Sequence, residues 1–105
     1  MDDIIGQLLA IEDAVTSEMK QIGAIRNQQL HEIAHGTNFL KCGYADKNGD
    51  YYSLNAWPEK GKIRVRIKNP DGKWYESSSE QPLSVIGNLF EQIRSDLSSG
   101  QQIPG

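Results

Sequence analysis

Cysteine is nearly missing from this sequence. Cys42 stands alone among 105 residues, so no disulfide can form within the chain and nothing implies an oxidising compartment. Long apolar runs are missing as well. None approaches the roughly 18 residues that a membrane span needs, and the acidic start lacks a secretion signal's basic residues, so the chain is expected in the cytoplasm with no membrane partner. There is no internal repeat and no low-complexity block, and proline is absent from Asp2 to Ala34. At this length the chain makes one domain with one modest core.

A uniformly basic character is also lacking, since the formal net charge is −3. The balance is uneven along the chain. Residues 1–35 carry six acids and two bases, residues 38–77 eight bases and five acids, and residues 78–105 three acids and one base. Positive charge therefore gathers in the middle of the chain, which excludes a uniformly basic nucleic-acid binder but leaves room for a local basic surface.

That middle stretch, residues 38–77, has three turn signals between four alternating runs and predicts a four-stranded antiparallel meander. Lys47-Asn48-Gly49 fits a three-residue hairpin loop that pairs Tyr44 with Tyr52, Cys42 with Leu54 and Leu40 with Ala56. Pro58-Glu59-Lys60-Gly61 is read as a four-residue loop that sets Ala56 against Ile63. Pro70-Asp71-Gly72, following Asn69, closes a third loop that places Arg66 beside Glu76 and Lys68 beside Trp74, avoiding a Lys68–Lys73 clash. One face is then apolar: Leu40, Cys42, Tyr44, Tyr52, Leu54, Ala56, Ile63, Val65, Ile67 and Tyr75. The other carries Phe39, Lys41, Tyr51, Ser53, Asn55, Trp57, Lys62, Arg64, Arg66, Lys68 and Trp74.

Helices are predicted on both sides. From Asp2 to about Ala34, apolar residues at Ile4, Leu8, Ile11, Val15, Ile22 and Ile25 alternate spacings of four and three, the seam of a short coiled coil. A 30-residue helix would measure roughly 45 Å and overhang its own sheet, so a homodimer or higher homo-oligomer through residues 4–25 is expected. The alternative is that Gly23 divides two shorter helices that fold back on the sheet. A second helix is predicted over 82–97, with Leu83, Ile86, Leu89, Phe90, Ile93 and Leu97 on one face, and residues 98–105 are read as a flexible tail. The fold class is thus α+β: long N-terminal helix, four-stranded antiparallel meander, and C-terminal helix packed on the sheet, forming a single domain over residues 1–97.

Several constellations bear on chemistry. His31-Glu32-Ile33-Ala34-His35 is an H-E-x-x-H string that, on a helix, sets both imidazoles on one face. It resembles the zinc-binding segment of the zincin metallopeptidases. The resemblance implies zinc on His31 and His35, Glu32 as general base, and Glu91 as candidate third ligand. Only a helix precedes the string, where zincins place a sheet, and Gly36 follows His35 directly. Two histidines closing a helix with Gly36 as its C′ residue is therefore the preferred reading, with no cofactor and no catalytic residue; zinc enters only under the peptidase alternative. Cys42 lies in the apolar row and is read as a small buried hydrophobe, and Asp46 to Asp50 as turn chemistry rather than a calcium loop. The order helix, strands, helix resembles the double-stranded-RNA-binding domain, but Pro82-Leu83-Ser84-Val85 stands where that family carries a lysine cluster.

The basic and aromatic face supplies the leading function. Arg64, Arg66 and Lys68 alternate on one strand, and Trp57, Trp74 and Tyr51 lie within one strand of them, so guanidinium groups can meet phosphates and flat rings can stack on bases. The chain is accordingly expected to be a non-catalytic binding or regulatory module that engages nucleic acid, a nucleotide or an acidic protein surface through these six residues. A protein-binding adaptor or inhibitor acting through the N-terminal helix is the alternative, and the zinc peptidase the second.

Overall fold

A computed structural model of the protein describes residues 4–34 and 38–102, with side chains described over 4–27 and 38–98. The chain runs α1 (Ile4–Gln21), β1 (Ala24–Ala34), β2 (Phe39–Asp46), β3 (Tyr51–Glu59), β4 (Lys62–Lys68), β5 (Trp74–Ser79) and α2 (Pro82–Gln102). The five strands form one antiparallel sheet in the order β1-β2-β3-β4-β5. The α+β class and the flanking helices match the sequence reading, but the strands number five, not four.

The added strand replaces the last third of the expected first helix. Ile22 and Gly23 close the helix by donating to the carbonyls of Met19 (3.0 Å) and Lys20 (3.1 Å), and Gly23 takes φ +90°, a region that glycine enters at little cost. Residues 24–34 then pair with the open edge of β2. Their apolar spacing suits a helix, but the unpaired amides and carbonyls of β2 supply a ladder that periodicity does not register. The pairing is interrupted. Between Asn27↔Gly43 and Glu32↔Lys41, β1 takes five steps where β2 takes two, so three extra residues bulge from the ladder.

The hairpin loops set the parity of everything after β2. Gly49 and Gly72 adopt φ +83° and +91°, and each closes a three-residue loop by donating to the carbonyl of Asp46 or Asn69. In both loops one side-chain oxygen is the hub: Asp46 Oδ1 accepts from the amides of Asn48 and Asp50 (2.8 and 2.9 Å), and Asn69 Oδ1 from those of Asp71 and Lys73 (3.0 and 2.8 Å). The middle loop differs from expectation. It is a two-residue turn, Lys60-Gly61, with φ +53° and +79°, so Glu59 pairs with Lys62 and Ala56 with Val65 rather than Ile63. Because the shift is two residues, every side chain keeps its predicted face. All ten residues of the predicted apolar row are buried.

Both helices cover that apolar side, α1 against β1, β2 and β3, and α2 against β4 and β5. Leu8, Ile11, Val15 and Met19 from α1 and Ile86, Leu89, Phe90 and Ile93 from α2 complete one core. An 18-residue helix spans about 27 Å, against 51 × 27 × 20 Å for the molecule, so no overhang remains. Of the six seam residues, Leu8, Ile11 and Val15 are fully buried in their own chain, Ile4 and Ile22 pack partly against the core, and Ile25 is 66% exposed. The second helix is longer than predicted, extending to Gln102 through most of the segment read as a tail; residues 103–105 lie outside the described residues. No helix among the described residues is long and apolar enough to cross a membrane.

Candidate binding face

Strand alternation sends Ile25, Phe39, Lys41, Tyr51, Ser53, Asn55, Trp57, Glu59, Lys62, Arg64, Arg66, Lys68, Trp74 and Glu76 to the side of the sheet away from the helices. Among the described residues no helix packs on that side. Among the described side chains five cations stand there against two carboxylates, a positive face on a chain of net charge −3.

All six predicted site residues lie on this face, arranged as two centres rather than one. At one end the Arg66 guanidinium sits 3.8 Å from the centre of the Trp74 ring, with Lys68 Nζ at 5.6 Å. At the other, Trp57 stacks on Phe39, with centroids 5.6 Å apart and planes 17° from parallel. Trp57 pairs with Arg64 and Trp74 with Lys68. The tryptophans are therefore separated by about 13 Å along the strands and about 10 Å across them.

The arginines are largely engaged. Arg64 donates to Glu76 (2.9 and 3.2 Å) and Glu59 (3.3 Å), and Arg66 Nε lies 3.4 Å from the same Glu76 oxygen. The Arg64 fork is spent on Glu76 and Glu59, which leaves less for an incoming phosphate, while the Arg66 guanidinium lies over Trp74. Among the described residues, Lys41, Lys62 and Lys68 have no carboxylate in ion-pair range. Lys41 was on the predicted face but not among the predicted site residues.

Between the lysines lies a recess of about 290 Å³, lined by Lys41, Gly43, Tyr51, Ser53, Lys68 and Trp74 among others. It exists because Gly43 and Ser53 are paired across β2 and β3: two small residues side by side among large ones leave a dent. The Tyr51 hydroxyl beside it is enclosed and has no hydrogen-bond partner among the described residues. Leaving such a group unmet costs about 1–3 kcal/mol. The signal in the sequence was Gly43, a glycine interrupting an outward-facing row.

A second polar cluster, missed by sequence reasoning, lies inside. Glu12 on α1 is 2% exposed within the apolar stripe and pairs with Arg26 of β1, while Cys42 Sγ approaches its carboxylate at 4.0 Å. The hydrogen bond to Glu12 raises the Arg26 pKa, and burial pushes the Cys42 thiol up, away from the thiolate a nucleophile needs. Thr16 Oγ1 and the Tyr44 hydroxyl share a 2.8 Å hydrogen bond, and burial raises the Tyr44 pKa. Under α2, Lys73 and the Tyr75 hydroxyl both donate to Asp96 (2.6 and 2.5 Å). Those bonds, led by Lys73, lower the Asp96 pKa, while burial and then Asp96 push Tyr75 up to about 12.

The H-E-x-x-H reading loses its geometric premise. Residues 31–34 are strand, so an i, i+4 spacing does not stack two imidazoles on a helical face, and His35 lies outside the described residues. Glu91 rides on α2 over β4 and β5, the edge of the sheet opposite β1. Among the described residues no group of three His, Cys, Asp or Glu is placed to hold a metal. Comparison with models of known families, with curated proteins and with solved structures found no match to this chain.

Proposed function

We propose that this protein is a small non-catalytic binding module that engages an anionic partner through the outer face of its sheet. The observation that carries the reading is charge segregation: five cations interleaved with Trp57, Trp74 and Tyr51 face away from both helices on an otherwise acidic chain. Such a surface attracts anions and orients their approach. Lys41, Lys62 and Lys68 supply the charge available to a partner. Arg66, beside Glu76, covers the Trp74 ring, and Arg64 is engaged by Glu59 and Glu76.

The test is fluorescence anisotropy with labelled single-stranded oligonucleotide and labelled poly-glutamate at 50 and 200 mM salt. The reading expects binding to at least one polyanion, weakening with salt and lost in a Lys41→Glu, Lys68→Glu double variant. Absence of binding at low salt, or binding that survives the double charge reversal, overturns it.

A further inference from the structure

We infer that the recess over Gly43 and Ser53 seats one nucleotide of a single-stranded nucleic acid, with its base in the dent and its phosphates toward Lys41 and Lys68. This rests on the proposed binding face and names its ligand.

Gly43, Ser53, Lys68 and Trp74 form one row across four strands, in which the first two leave the floor low and Trp74 raises a wall. The volume, about 290 Å³, lies at the small end of ligand pockets. That space suits a single flat ring with its substituents, whereas one side-chain carboxylate leaves most of it empty.

Chemistry narrows the occupant further. Trp74 and Tyr51 offer ring surfaces, Ser53 and Asn55 offer donors and acceptors for a base edge, and the lysines stand on two sides of the opening. The Tyr51 hydroxyl, enclosed beside the recess with no partner among the described residues, gains an acceptor if the side chain swings about its Cα–Cβ bond toward a bound base. Flat rings plus ammonium groups with no carboxylate in ion-pair range among the described residues is the combination by which sheet surfaces hold unpaired nucleotides, since a base in a duplex cannot lie flat in a dent. A strand rather than a free nucleotide is favoured by the second aromatic pair. Trp57, stacked on Phe39, stands on the same face about 16 Å from Trp74 by strand geometry, within reach of neighbouring bases.

The experiment uses the full chain carrying Trp57→Phe, so that fluorescence reports Trp74 alone, titrated with a twelve-residue oligo-dT, thymidine monophosphate, inorganic polyphosphate and poly-glutamate. Oligo-dT is expected to quench Trp74. Filling the recess with Ser53→Leu is expected to weaken oligo-dT at least tenfold while changing polyphosphate binding by less than twofold. Should polyphosphate or poly-glutamate bind as well as oligo-dT, with Ser53→Leu affecting none of them, the recess assignment falls and the binding face stands. Thymidine monophosphate binding as tightly as the strand rejects the single-stranded source, and failure of every polyanion removes the face itself. If Ser53→Leu loses its native circular dichroism, Tyr51→Phe replaces it: its removed hydroxyl has no partner in the free protein, so stability should hold while oligo-dT affinity drops.

Discussion

Removing Arg26 should harm this protein more than removing its partner Glu12. The two side chains form one ion pair, but Glu12 is 3% exposed and Arg26 is 30% exposed. An Arg26→Met variant takes the guanidinium away from a carboxylate buried in the apolar stripe of α1, at a cost of about 3–5 kcal/mol. A Glu12→Gln variant leaves a guanidinium that can turn its head to water while its stem stays packed, which limits the loss to about 1–2 kcal/mol. For a domain of this size each kcal/mol moves the thermal midpoint by about 4 °C. Differential scanning calorimetry should therefore show Arg26→Met about 12–20 °C below the parent and Glu12→Gln about 4–8 °C below. Combining the two should recover part of the larger loss, because the buried charge that Arg26 offsets is gone; a recovery near 2 kcal/mol is expected from a double-mutant cycle. Equal losses from the two single variants, or a double variant worse than Arg26→Met, would refute the reasoning that unequal burial governs the pair.

Two further outcomes follow from the backbone and from the tyrosines. Lys60 holds φ +53° at the first position of a tight turn whose second residue is already glycine, so Lys60→Asn should stabilise the protein by about 0.5–1 kcal/mol, read as a higher urea midpoint with unchanged slope. Tyr75 has its pKa raised in the folded state, so its contribution is intact below the unfolded value near 10 and is lost as the pH climbs toward about 12. Stability measured by urea unfolding should accordingly fall across that window, and Tyr75→Phe should flatten the decline; an unchanged slope in the variant would count against the assignment.

Much of the sheet could be read from loops alone. Gly49 and Gly72 each demand a left-handed position after a short polar run, and that requirement fixed register on both sides, including Arg66 beside Glu76 and Lys68 beside Trp74. The middle loop was misjudged because Pro58 looks like a loop residue, whereas it occupies a strand position opposite Ile63 and the chain turns two residues later. Parity forgave that error. The first strand was not legible: Ile22, Ile25, Leu30 and Ile33 keep a helical spacing, and what makes residues 24–34 extended is the vacant edge of β2, a partner that local periodicity does not contain. Glu12 was hidden for a related reason. An acid inside an apolar stripe reads as a surface position until a strand brings Arg26 beneath it. On the binding face the residue types were visible, but the engagement of Arg64 and Arg66 by Glu76 depends on side-chain reach across β4 and β5, which alternation alone does not supply.

The jump in pairing between Asn27 and Glu32 also bears on how these molecules behave when crowded. A foreign strand that tried to extend the sheet beyond β1 would meet four regular rungs and then lose phase with the next three, so templated growth stalls on that flank. The other boundary, β5, has no such interruption over its six residues, and any runaway stacking of unfolding copies would start there.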